Sequence, residues 1–205
     1  MNSVDGMETA MSIVERNISV HMVRDNLNDI PNCPLPSGYS THWYRPGDER
    51  LWVDVQSRAE GYLEITPELF VEQFGSDPQP LAERQCFLCD AQGEAIGTAT
   101  AWFDGDYHGQ PYGQLHWVAI VPEAQGRGLA KPLLSIVLHR MAELGHTRCY
   151  LGTSTARIPA VNLYARFGFV PHVRNADDLA VWREMQSWVK VRFEHQSVSL
   201  VDDRR

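Results

Sequence analysis

The stretch "GQLHWVAIVPEAQGRGLAKPLLSIVLHRMAELG", Gly113 to Gly145, constrains the fold more than any other part of the chain. An apolar run at residues 113–121 leads into a turn in which Gly126 and Gly128 flank Arg127. Leu133, Leu134, Val137, Leu138, Met141 and Leu144 then recur at helical spacings, which predicts one long helix from Ala130 that Gly145 ends. Strand, glycine turn and amphipathic helix in direct succession call for a sheet with a helix packed on it.

The neighbouring segments fill in the order. "YSTHWY" reads as a strand, and "RPGDERLWVDVQSRAEG" as a turn and helix with Leu51, Trp52, Val55 and Ala59 on one face. "TPELFVEQFG" is a second helix, capped by Thr66, opened by Pro67 and ended by Gly75. "QCFLCD" and "AIGTATAWF" are strands joined by "AQGE", and the loop "DGDYHGQPYG" precedes the strand that starts near Gly113. "RCYLGT" is a strand, "PAVNLYARF" a helix and "FVPHV" a strand; in the tail, "DDLAVWREMQ" suits a helix and "WVKVRFE" a strand. The result is an α/β chain of the α+β type, ordered β-α-α-β-β-β-α-β-α-β. Residues 1–37 read as an N-terminal extension with a short strand at "ISVHMV" and a connector rich in proline (Pro31, Pro34, Pro36). Residues 38–195 form a single domain, and 196–205 a disordered tail.

A length of 205 residues with 43% hydrophobic composition supplies one core that needs neither disulfide nor metal. The net charge of -8, with no run of Lys and Arg, argues against nucleic acid as a partner. No signal-like or membrane-spanning apolar run occurs, so a cytoplasmic protein without a membrane partner is expected. Cys86 and Cys89 form a CxxC on a strand, where an odd separation sends the two thiols to opposite faces; with no second pair, no metal site is expected.

A glycine-rich turn between strand and helix is a cradle for anions, because glycine exposes backbone N–H groups and the helix start leaves others unpaired. A dinucleotide fingerprint would need a third glycine where Lys131 stands, and no Gly-Lys-Ser/Thr is present for a Walker loop. The pattern Gln125-Gly126-Arg127-Gly128-Leu129-Ala130 instead resembles the acyl-CoA pyrophosphate loop of the GNAT superfamily of N-acetyltransferases. A later stretch, "AVNLYARFGF", Ala160 to Phe169, resembles that superfamily's second motif, and the likeness spans roughly residues 38–175. It implies a GNAT-like mixed, twisted, mostly antiparallel sheet of about six to seven strands with helices on both faces, which agrees with the order read above.

By this resemblance acetyl-CoA is the co-substrate. Val118, Ala119 and Ile120 would pair with the pantetheine arm, and Gln125, Gly126, Arg127, Gly128, Leu129, Ala130 and Lys131 would hold the pyrophosphate. Where the family often has asparagine, seven residues before the tyrosine, this chain has Arg157, a cationic contact in its place. Tyr164 matches the residue that faces the leaving thiolate. A backbone N–H near Val118 or Ala119 would stabilise the oxyanion. His116, two residues before Val118, is expected on the cofactor face as the general base; Glu60, Glu64 and water are alternatives. The acceptor is expected to be a small-molecule amine, with Trp43, Tyr62, Trp102, Asp104, Asp106 and the Thr153–Arg157 loop as lining candidates. A non-catalytic acyl-CoA-binding module and a protein acetyltransferase stand as the other readings, and a homodimer is left open.

Overall fold

The computed structural model of the protein describes residues 11–190 and 192–193. Its strands are β1 (Ser19–Arg24), β2 (Ser40–Trp43), β3 (Gln85–Cys89), β4 (Ala95–Tyr107), β5 (Gln110–Ile120), β6 (Cys149–Ser154) and β7 (Val170–Pro171). Its helices are α1 (Glu49–Ala59), α2 (Pro67–Phe74), α3 (Pro78–Arg84), α4 (Ala130–Glu143), α5 (Ile158–Arg166) and α6 (Ala176–Met185). The strands follow the order β2-β3-β4-β5-β6-β1-β7; β5 and β6 run parallel, while β2 with β3, β3 with β4, β4 with β5 and β1 with β7 are antiparallel. The mixed, mostly antiparallel sheet expected from the sequence is therefore present. The chain divides into two compact units, Arg24–Leu151 and the remainder on either side of it.

In the Arg24–Leu151 unit, α4 begins and ends where the periodicity predicts, and Gly145 takes φ 85° just past it. Its buried stripe of Leu133, Leu134, Val137, Leu138 and Met141 covers one face of the sheet. Gly113 permits the close approach, because a Cβ there would lie 2.4 Å from the Met141 sulfur. The opposite face is covered by α1 and α2. There Trp52, fully buried, meets Phe70, Phe74 and Trp117 edge-on at centroid distances of 5.3, 5.7 and 5.1 Å. α2 carries its expected signals: Thr66 Oγ1 accepts from the Leu69 N–H at 3.2 Å, Pro67 opens the helix, and Gly75 closes it at φ 77°.

Two segments of this unit differ from expectation. The loop "DGDYHGQPYG" is a continuation of β4 and β5, turned by His108 and Gly109 at φ 51° and 79°, so the hairpin closes on two residues with Tyr107 opposite Gln110. Tyr107 stacks on Tyr150 at 3.6 Å, and the Tyr150 hydroxyl donates to Asp104 at 3.1 Å, which holds the extension to β6. Helix α3 is additional; Asp77 caps it by accepting from the Gln79 N–H, and Pro78 starts it.

The other unit holds β1 and β7, paired antiparallel through Met22 with Pro171 and Val23 with Val170, together with α5 and α6. The "ISVHMV" strand is thus a working part of the sheet. "FVPHV" contributes only the two residues of β7. "WVKVRFE" is not a strand over its described residues: Trp188 closes a turn onto Met185, and the Lys190 N–H donates to the Asn162 side chain. The segment 196–205, expected to be disordered, lies outside the described residues.

Candidate active site

Strand β5 carries an irregularity at its centre. Thr98 pairs with Ala119 and Thr100 with His116, so the single residue Ala99 faces both Trp117 and Val118. This is a β-bulge, and Trp117 sits in it at φ 48°, a left-handed conformation that costs a side-chain-bearing residue roughly 1–2 kcal/mol. Two glutamines meet it. Gln56 Nε2 donates to the Trp117 carbonyl at 2.9 Å, and Trp117 Nε1 donates to Gln73 Oε1 at 3.0 Å.

His116 Nε2 lies 3.2 Å from the same Gln73 oxygen. An indole N–H only donates, so the Gln73 atom it meets is the oxygen, which only accepts; His116 Nε2 therefore carries a proton and its lone pair is on Nδ1. Burial of the ring against Phe74 and Trp117 pushes its pKa down to about 4, so it is neutral at pH 7. His116 and Trp117, consecutive residues, both reach Gln73, so the alternation of faces stops at the bulge. The expectation that His116 and Val118 share a face by parity is corrected on that ground.

On its other side β5 pairs with β6 only at Gly113 with Cys149 and Gln114 with Tyr150. From Leu115 to Ile120 the strand has no register partner there among the described residues. The Gln125 side chain folds back to donate to the Ile120 carbonyl at 2.8 Å, tying the following loop to the end of the strand. Gln125 thus anchors the loop, while the turn itself is made by Gly126 and Gly128 at φ 74° and 79°. A Cβ at either glycine would meet nothing within 4 Å, so backbone angle, not space, requires glycine at both positions.

The loop ends at α4, whose N-cap residue Leu129 is buried and offers no side-chain acceptor to the first turn. Backbone donors and the positive end of the helix dipole meet there, beside the exposed Arg127 and Lys131. Arg127 Nη2 is held by the Glu123 carbonyl at 2.8 Å. The Glu123 carboxylate, which would oppose an anion, pairs with Arg58.

In the other unit, Arg157 is the N-cap residue of α5, with Nη1 3.4 Å from Ser154 Oγ. Tyr164 is buried, with its ring 6.1 Å from Phe169. Burial raises its pKa to about 12, with the Arg157 charge pulling the other way. Thr155, in the loop expected to line an acceptor pocket, is fully buried and structural: its Oγ1 accepts from the Ile18 N–H and donates to the Ile13 carbonyl.

The remaining candidates scatter. Trp43 lies under the Arg140 guanidinium at 5.4 Å, in a groove of about 530 Å³ that Cys33, Ser135 and His139 also line. Trp102 packs on Phe74 at 5.3 Å, and Asp104 is engaged by Tyr150. Asp106 and Glu64 are exposed, and Tyr62 is 58% exposed. The Glu60 carboxylate accepts from the Gly61 and Tyr62 N–H groups, a local turn contact. All four cysteines are free, and Cys89 Sγ lies 3.5 Å from His42 Nδ1, whose Nε2 is 3.3 Å from Asp48. Burial and then the carboxylates of Asp90, Asp48 and Glu94 push the Cys89 thiol up, which keeps it protonated.

Gln56 and Gln73 are the site residues that the sequence reading misses. The signal is present: Gln56 stands four residues after Trp52 and Gln73 three after Phe70, polar residues placed on apolar helical faces.

The Acetyltransferase (GNAT) family matches residues 51–169, more than half of the chain, which belongs to this family. Mycothiol acetyltransferase of Streptomyces griseus is 29% identical over 154 residues, 70% of this chain and 47% of the relative. That of Acidothermus cellulolyticus is 28% identical over 184 residues, 82% and 55% respectively. The chain spans about half the length of these curated relatives. Among solved structures, a GCN5-related N-acetyltransferase from Sphaerobacter thermophilus superposes with a TM-score of 0.64 at 23% identity, over 75% of this chain and 48% of that one, which supports the fold.

Proposed function

We propose that the chain transfers an acetyl group from the thioester of acetyl-CoA to the amine of a small molecule. The observation that carries this is the strip of β5 from Leu115 to Ile120, without a β6 partner, running into a loop of two left-handed glycines at an uncapped helix start. An extended amide-bearing arm can complete such a strand, and the phosphates that follow it suit the donors at residues 126–131. Arg127, Lys131 and Arg157 supply positive charge to a chain that is acidic overall. The names of the mycothiol acetyltransferase relatives support a small-molecule acceptor.

Attack by a neutral amine places negative charge on the carbonyl oxygen, which the backbone N–H of Val118 or Ala119 stabilises. Tyr164 meets the departing sulfur. With its phenol near 12, full proton transfer to a thiolate near 8.5 is uphill by about 5 kcal/mol, so Tyr164 donates a hydrogen bond and keeps its proton. The acceptor's proton leaves through water. His116, neutral and fixed by Gln73, supports the strand in this proposal and is not its base.

The test is thiol release from acetyl-CoA across a panel of amines, alongside calorimetric titration with CoA. Tight CoA binding with no thiol release from any amine would favour a binding module. Tyr164→Phe is expected to lower kcat roughly 10- to 100-fold, the value of one hydrogen bond to a charged group, with CoA affinity within about threefold of the parent. A large loss of thermal stability in that variant would instead make Tyr164 a packing residue.

A further inference from the structure

The structure assigns to Gln56 and Gln73 a joint role as positioning residues, which hold the β5 bulge in the shape that presents the Val118 and Ala119 backbone to the reacting carbonyl. This inference rests on the acetyl-transfer reading above. A left-handed tryptophan persists only where its surroundings over-determine it. Here helix α1 reaches the main chain through Gln56 Nε2, and helix α2 reaches the side chain through Gln73 Oε1. The edge of Trp52 closes the third side.

Each contact has a distinct consequence. Gln56 is 3% exposed and its amide donates to the Trp117 carbonyl, so losing that amide removes the bond between α1 and the bulge. Gln73 accepts from two donors at one oxygen, which locks the orientations of Trp117 and His116 together. Among the described residues Val118 has no register partner on β4 or on β6, so its backbone direction follows from the angle that Trp117 takes. Without the clamp, an extended Trp117 would restore alternation and turn the next residue over. Neither glutamine belongs to the Gln125–Lys131 loop, so the pyrophosphate contacts stay while the strip that meets the pantetheine arm and the reacting carbonyl moves with the bulge, and kcat should fall by more than CoA affinity.

The test compares Gln56→Leu, Gln73→Leu and Gln73→Glu with the parent chain. Gln73→Glu keeps an acceptor at the same place. The two leucine variants are expected to lose roughly 10- to 100-fold in kcat with a smaller loss of CoA affinity, under about tenfold, and Gln73→Glu to recover most of both losses. Carbon chemical shifts of Trp117 should move from left-handed toward extended values in Gln56→Leu. Its indole N–H should exchange at least about tenfold faster in Gln73→Leu and return toward the parent rate in Gln73→Glu. A kcat within twofold of the parent in both leucine variants, or Trp117 shifts that stay left-handed in both, overturns the clamp. If the parent turns over no amine, the functional reading fails, and the Trp117 shifts and indole exchange still decide whether the glutamines hold the bulge.

Discussion

Replacing Trp52 with alanine is expected to lower the unfolding free energy by about 3–5 kcal/mol, the range for removing a large aromatic from a packed core. A domain of ordinary stability has only about 5–15 kcal/mol in total, so this one change consumes much of it. The expectation rests on position: Trp52 is fully buried and touches the rings of Phe70, Phe74 and Trp117, joining α1 to α2 and to the bulge of β5. Its indole N–H has no acceptor among the described residues, so the loss is one of packing rather than hydrogen bonding. Val71→Ala, on the outer face of α2 at 52% exposure, serves as the control and should stay within about 0.5 kcal/mol. Urea unfolding followed by circular dichroism measures both. A Trp52→Ala loss below about 1 kcal/mol would show that the aromatic cluster does not hold the two helices.

The second large effect is a dependence of stability on pH set by His116. Its pKa is about 4 in the folded chain and near 6.5 when unfolded, so between those values the unfolded state binds more protons. Stability is therefore at its full value above pH 6.5, falls as the pH drops, and levels off below about 4, with a total loss of about 3 kcal/mol. His146 is shifted down by burial and by the Arg84 charge, so it adds to the fall in the same direction. Asp178, lowered by its bonds to Arg174, contributes stability that is lost only at more acidic pH. Unfolding measured from pH 7 to pH 4 should show a clearly shallower fall in His116→Gln than in the parent. Parallel curves would mean that the ring is solvated and titrates normally.

Helix α4 and helix α2 are legible in the sequence because local signals and apolar periodicity agree there, with Gly145 past the end of one and Thr66, Pro67 and Gly75 bounding the other. The glycine loop is legible for the same reason, since the left-handed angles of Gly126 and Gly128 are a requirement on residue type. The bulge at Trp117 is not. A tryptophan gives no hint of a positive φ, and what maintains it comes from Gln56 and Gln73, residues 61 and 44 positions away. The parity argument for His116 fails through that one inserted residue. The β4–β5 extension is hidden similarly, because Gly and Asp suggest a loop while the stacking of Tyr107 on Tyr150 stabilises paired strands. Helix α3 is the one element whose start, Asp77-Pro78, could have been read.

The placement of the sulfurs has a practical side. Cys86, Cys89 and Cys149 are buried, and burial lifts the first and last thiols to about 12. Under the proposed acetyl transfer, these three sulfurs, buried and protonated, would not compete for the acyl group. Cys33, partly exposed in the groove by α4, is left as the one attachment point for a maleimide dye among the four, so a single reporter can be installed on the native protein without removing any cysteine.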